Sequence, residues 1–326
     1  MSAEPRRMRD LLPMLRALAS LVLLAAVAWW IDPRALAAAF GAPAPGWLVL
    51  ALALGVLQTA LSAWRWRLTA SRLGAPLDFG HALREYYLAS FLNQILPGGV
   101  MGDATRAWRH ARQPGTAGTA AWQAVVIERG SGQLALLLMV IASVVASPAL
   151  QAVPARLGEA ADVRGLPWVG ALAALAIVGT ALARRARDVL HGLARATRQA
   201  LLARAVLLRQ LLASLLIVAS YVAVWLCCMR MIGLATPPAQ AVPLVPWVLL
   251  AMAIPLSVAG WGVREAAAAL VWHTAGLEAA EGVAASVSYG VVVLLSTLPG
   301  ALLLRPRASD AHSAADAATT SRADAP

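Results

Sequence analysis

Apolar residues in this chain form long runs, separated by short stretches in which arginine dominates. A helix needs about 20 mostly apolar residues to cross a hydrocarbon core. Six runs read as such spans: 12–31, 47–63, 122–146, 168–183, 206–229 and 283–304. The first follows Arg6, Arg7 and Arg9, a start that would also suit a cleaved signal peptide. Trp29, Trp30 and Asp32 stand where small residues should precede a cut, and the tryptophans suit an interfacial anchor instead. Residues 306–326, rich in Ala, Asp, Ser and Thr, read as a solvated disordered tail without a lipidation signal.

Two further apolar stretches do not read as simple spans. The first, 81–108, contains Asn93, Pro97, Gly98, Gly99, Gly102, Asp103 and Arg106. The second, 242–272, contains Pro255, Ser257, Gly260, Gly262, Arg264 and Glu265. Pro and Gly together break a helix. Arginines concentrate on the cytoplasmic side of a membrane protein. Arg65, Arg67 and Arg72 precede the first stretch, and Arg106, Arg109 and Arg112 end it. Both flanks are therefore placed in the cytoplasm, and the stretch should enter and leave on one side. The second stretch has uncharged or acidic flanks, with Glu278 and Glu281 after it, and should enter from the opposite face.

Composition agrees with this pattern. Hydrophobic residues make up 60 % of the 326 positions and charged ones only 13 %, against about 25 % charged in ordinary soluble proteins. The formal net charge is +11, and all 27 basic residues are arginine. Such a balance in a soluble chain would suggest nucleic acid. Here the arginines lie between apolar runs, so an anionic lipid surface is the expected partner and nucleic acid is not. The segment 184–209 is basic and rich in Leu and Ala, as an amphipathic surface helix would be. Cys227 and Cys228 are adjacent within an apolar run and read as packing residues.

The two broken stretches share a pattern, P-x4-G-x3-R: Pro97, Gly102 and Arg106, then Pro255, Gly260 and Arg264. The expected fold is thus an all-α polytopic membrane protein of about six transmembrane helices plus two re-entrant hairpins, eight hydrophobic segments in an inverted repeat. Its halves are 12–147 and 167–305, between a cytoplasmic segment 1–11 and the tail. Paired broken segments in inverted halves mark a transporter's binding site. Half-helices starting near Gly102 and Gly262 would aim backbone N–H groups inward, where anions are favoured. Arg106 and Arg264 would add guanidinium forks suited to a phosphate, unless they snorkel or hold structural ion pairs. Gly98, Gly99, Gly102, Ser257, Gly260 and Gly262 complete the expected binding loops, broken at Pro97 and Pro255. Asp103 suits an N-cap, an arginine partner or a proton carrier; Glu265 would be the acidic counterpart in the second half. Glu128 and Arg129 are ionisable groups inside an apolar run, with Arg106 and Asp103 as candidate partners. Gly130 and Gly132 would allow close helix contact. Asn93 would satisfy loose backbone at the first tip, and His273 would lie at an interface.

Metalloprotease, nucleophile-elbow, P-loop and dinucleotide-binding motifs are all missing, so neither catalysis nor a cofactor is expected. The run from Phe91 to Arg106 (FLNQILPGGVMGDATR) resembles the signature of the lysylphosphatidylglycerol synthase transmembrane-region, or flippase-like, family. Glu128-Arg129 opening a long span, and Pro255-Leu256-Ser257 followed by Gly260-Trp261-Gly262-Val263-Arg264-Glu265, are similar to that family too. The resemblance covers about residues 10–305. It implies a bacterial inner-membrane protein with a lipid-translocating fold; the arginine distribution places both termini in the cytoplasm. The soluble synthase domain of two-domain members is not seen, so neither its activity nor a lysyl lipid is carried over. The expected function is translocation of a phosphate-bearing lipid headgroup. The alternative is a non-transporting partner or anchor for a lipid- or glycan-modifying enzyme.

Overall fold

The structure is a computed structural model that describes residues 44–96, 99–146, 187–201, 204–252 and 257–304, with a few isolated positions besides. Pro97, Gly98, Pro255, the tail and almost all of the expected spans at 12–31 and 168–183 lie outside the described residues. Every described element is a helix. In chain order they are α1 (Pro45–Arg72), α2 (Phe79–Ile95), α3 (Met101–Ala111), α4 (Gly118–Ala146), α5 (Arg187–Leu201), α6 (Arg204–Met231), α7 (Pro238–Ala241), α8 (Val245–Ala251), α9 (Val263–Thr274) and α10 (Ala279–Thr297). A 3-10 turn, Leu298–Leu304, extends α10. Pro299, which lacks an N–H, sits at that change of winding.

Four of these are long and apolar enough to cross a membrane: 45–72, 118–145, 206–231 and 279–304. Their side chains are arranged with polar groups inward. On α6, Gln210, Ser214 and Ser220 are buried, whereas Leu207, Leu208, Leu211, Leu212, Leu215 and Leu216 are exposed. On α1, Thr59, Ser62, Arg65 and Thr69 are buried, and Val49, Val56 and Leu57 face out. In water that distribution would expose a large apolar patch. In lipid it satisfies the polar groups inside and leaves the leucines to the acyl chains. The chain is a multi-pass membrane protein.

The element order repeats. A 28-residue helix, a broken pair and a long helix (α1 to α4) recur as α6, the α7–α8 and α9 pieces, and α10 with its 3-10 extension. The equivalent helices α1 and α6 lie against each other and run antiparallel. Ala44 N–H donates to the Met231 carbonyl (2.9 Å) at one end. Ser220 Oγ meets Gln58 Oε1 (3.3 Å), Arg65 Nη1 donates to Ser214 Oγ (2.8 Å), and Gln210 Nε2 reaches Thr69 Oγ1 (2.6 Å) towards the other. One number rises as the other falls, which is the relation inverted halves require.

Each broken stretch folds back on itself. Asp78 caps α2 by accepting from Gly80 N–H (2.7 Å) and His81 N–H (3.3 Å). The His81 and Gly80 donors hold this exposed carboxyl below its usual range, so the cap weakens only as acid protonates it. Gly102 at the start of α3 lies against the Ala89 carbonyl, so closely that a Cβ there would stand 1.9 Å from its oxygen. Arg109 pairs with Glu85 (2.8 Å) and Gln113 meets His81 (2.7 Å) at the far end. α2 and α3 are thus an antiparallel hairpin whose ends return together. In the second half α8 and α9 pack on each other, joined by a turn in which Ala259, Gly260 and Gly262 have positive φ (52°, 82° and 84°).

The expected boundaries shift in instructive ways. Arg65, Arg67 and Arg72, read as a loop, all belong to α1. Arg65 is only 3 % exposed, because its guanidinium has partners inside the protein. Cys227 and Cys228 are buried free thiols in the core beside Trp225, which packs on Trp272 and Tyr289. His273 is exposed near the end of α9. Gly132 and Gly130 behave differently. A Cβ on Gly132 would stand 3.1 Å from Arg65 Nη2, whereas nothing lies within 4 Å of Gly130. Gly290, 158 positions after Gly132, abuts another guanidinium: its Cβ would stand 2.1 Å from Arg264 Nη2. Gly290→Ala should therefore lower stability by about 1–3 kcal/mol through overpacking. Gly130→Ala should raise it by about 0.5–1 kcal/mol through helix propensity. Thermal unfolding in detergent checks both.

Candidate functional site

The first hairpin is fastened to its neighbours by buried charge. Glu128, in α4, is fully buried; Oε1 accepts from Arg65 Nη2 and Oε2 from Arg106 Nη2 (2.6 Å). Tyr86 OH adds a longer bond to Oε1 (3.3 Å). Asp103 Oδ1 accepts from Arg106 Nε (2.9 Å), and its Oδ2 from Arg129 Nη2 (2.8 Å) and Asn93 Nδ2 (3.2 Å). The Arg106 guanidinium also lies over the rings of Tyr86 (4.6 Å) and Trp66 (4.8 Å). In a low-dielectric interior such pairing is what makes these ions tolerable. The cluster holds three guanidiniums (Arg65, Arg106, Arg129) and two carboxylates (Asp103, Glu128), a net charge of +1.

The second hairpin carries a smaller, neutral counterpart. Glu265 Oε2 accepts from Gly262 N–H (2.7 Å) at the start of α9, and Oε1 from Arg264 Nη2 (2.7 Å). Ser286 Oγ lies 2.9 Å from Glu265 Oε1 and 3.0 Å from Arg264 Nε. Arg264 sits over Trp261 (4.7 Å). Ser286 occupies in α10 the place Glu128 has in α4: each stands 22 positions beyond its hairpin's arginine.

Between the tips lies a cavity of about 690 Å³. All four long helices and both tips contribute to its wall. Arg129 and Asp103 face it, with Asn93, Gly99, Ser257 and Gly260 from the tips, and Gln58, Gln94, Gln133, Tyr86, Tyr221 and Tyr289 around them. Arg106 and Arg264 do not line it; each is 1 % exposed and engaged by carboxylate. The two arginines expected to hold a phosphate are thus placed behind the cavity wall, in ion pairs of the protein itself. The hairpin amides are also committed, since Gly102 N–H donates to Asn93 Oδ1 (2.8 Å) and Gly262 N–H to Glu265. Asn93 does satisfy loose backbone at the tip, as its placement suggested. Asp103 is not an N-cap: Val100 holds that position, and the Asp103 carboxylate turns sideways to the arginines. Glu265 does take the matching acidic place, third in its helix as Asp103 is in α3.

Arg129 is the cation that meets the cavity. Its side chain is 40 % accessible, and its Nε has no partner among the described residues. Arg65 is the site residue that sequence reasoning missed. Its signal was an arginine directly before Trp66 in an apolar run, but the rule that sends arginines to the cytoplasm hid it. Removing the shared carboxylate should expose the design: Glu128→Ala leaves two buried guanidiniums short of a partner and should cost about 3–5 kcal/mol. Arg112→Ala, at the outer stack on Trp108, should stay within about 0.5 kcal/mol. Denaturation in mild detergent compares the two.

No curated protein and no solved structure matches the chain. A family model described as the lysylphosphatidylglycerol synthase TM region matches residues 17–300. That match takes in both hairpins, the ion cluster and every described wall of the cavity, and the chain belongs to this family of membrane regions.

Proposed function

We propose that this protein is a lipid transporter of the flippase type, working in the bacterial inner membrane with both termini in the cytoplasm. It moves a phosphate-bearing headgroup through the cavity between its halves while the acyl tails stay in the bilayer. No covalent step is involved. The observation that carries this reading is Arg129, an accessible guanidinium on the wall of a membrane-embedded cavity, backed by a cluster with one positive charge in excess. An anionic group entering there would neutralise that excess and meet the accessible part of the guanidinium, in a setting where charge–charge attraction is little screened.

The two hairpins are read as re-entrant, one from each face, and as the gates of the cavity. Their antiparallel return and the antiparallel α1–α6 pair support this. Arg106 and Glu128 hold the first gate in shape, and Arg264 and Glu265 hold the second. Rocking of one half against the other would open the cavity alternately to each leaflet. Of the basic segment, α5 (Arg187–Leu201) lies along the cytoplasmic surface among anionic lipids, while Arg204 and Arg209 belong to the start of α6.

The test is translocation of a fluorescent phosphatidylglycerol in vesicles containing the purified chain. Arg129→Gln should slow it at least about tenfold, a loss of about 1.4 kcal/mol, and Arg129→Lys should restore part of the rate. Arg112→Gln should leave it unchanged. A wild-type chain that moves no lipid would remove this reading and favour a non-transporting partner of a lipid- or glycan-modifying enzyme.

A further inference from the structure

The polar groups around Arg129 say more about the cargo than its phosphate. Among the described lining residues of the cavity, the charged ones are Arg129 and Asp103. The Asp103 carboxylate is already committed, with Oδ1 held by Arg106 and Oδ2 by Arg129 and Asn93. An ammonium group in the cavity would find no uncommitted carboxylate among the described lining residues. Neutral hydrogen-bonding groups, in contrast, are in surplus. The hydroxyl of Ser257 is buried without a partner among the described residues, in a residue only 3 % exposed. The carboxamides of Gln94 and Gln133 line the same wall, and no described residue bonds to them. A buried hydroxyl left without a partner is costly, and the two carboxamides are open to the cavity. Carboxamides offer a donor and an acceptor together, the pairing that vicinal hydroxyls complement.

We infer that the headgroup carried by this cavity is net anionic and rich in hydroxyls, a polyol or sugar phosphodiester, and not an ammonium-bearing zwitterion. This rests on the reading of the cavity as a headgroup site. Arg129 takes the phosphate. Gln94, Gln133 and Ser257 take the hydroxyls and supply selectivity between anionic lipids. A site whose polar groups are built for hydroxyls rejects an analogue lacking them, because those groups are then left unpaired.

The experiment is competition binding by native mass spectrometry, with the full chain in neutral detergent and three probes of matched chain length. Phosphatidylglycerol carries the charge and hydroxyls, phosphatidylmethanol the charge alone, and phosphatidylethanolamine an ammonium. Phosphatidylglycerol should bind about tenfold or more tightly than either of the others. Gln94→Leu and Gln133→Leu break no internal bond among the described residues. Each should bring phosphatidylglycerol towards phosphatidylmethanol and leave the latter's affinity in place. Arg129→Gln should weaken both anionic lipids together. Equal binding of phosphatidylglycerol and phosphatidylmethanol, or binding of phosphatidylethanolamine as tight as phosphatidylglycerol, would overturn the inference and leave the headgroup site standing. If no lipid binds in a way that depends on Arg129, both fall.

Discussion

The structure depends on the high cost of an unpaired charge in a medium without water. Glu128 answers that constraint by giving one carboxylate oxygen to Arg65 and the other to Arg106. With that single residue α4 is tied to α1 on one side and to the tip of the first hairpin on the other. Removing any partner would strand an ion where it cannot be hydrated. The contact therefore fixes relative positions more firmly than the surrounding apolar packing, which has no water to exclude on its lipid-facing side. Trp66 and Tyr86 complete the arrangement by lying against the Arg106 guanidinium. A buried cation is thereby held from its edge by carboxylates and from its faces by aromatic rings.

Once Arg106 and Arg264 are fixed in this way, the hairpin arginines are engaged by carboxylates and Arg129 faces the cavity, so in the proposed reading the contact with ligand passes to Arg129. The arrangement separates two jobs that would conflict in one side chain. A guanidinium that holds a gate in place should not change partners, whereas one that binds cargo must. Among the described residues Arg129 keeps one ion pair, with Asp103, and its Nε has no partner. Gly132 and Gly290 show the same economy in steric terms. Each omits a side chain where a guanidinium needs the volume, at equivalent places in the two halves.

Much of this was legible in the sequence, because its physics is one-dimensional. Hydrophobic length located the four long helices to within several residues, and Pro and Gly marked both turns. The pairs Glu128–Arg106 and Arg129–Asp103 could be named in advance because few other ionisable groups lie at depth. Arg65 could not, since its neighbour in space is 63 positions away and its arginine-rich surroundings resembled a cytoplasmic loop. Asp103 took the arginine-partner place that was one of its readings, whereas the commitments of the Gly102 and Gly262 amides could not be foreseen, for a related reason. Which donor satisfies which acceptor depends on side-chain direction in three dimensions, and Asn93 and Glu265 turned out to reach those amides first. That Arg129 and not Arg106 meets the cavity followed from helix rotation, which adjacent residues alone do not set.

The two halves share a backbone path without sharing their ions. Among the described residues the first brings five charged groups to the centre and the second brings two. A transporter of identical inverted units would have two end states of equal energy by symmetry. Here an exchange of roles between the halves would move the excess cation from one leaflet's side to a place that has no counterpart for it. In the proposed transport cycle the outward-open and inward-open forms are therefore not isoenergetic, and the empty protein has a preferred resting side written into its composition.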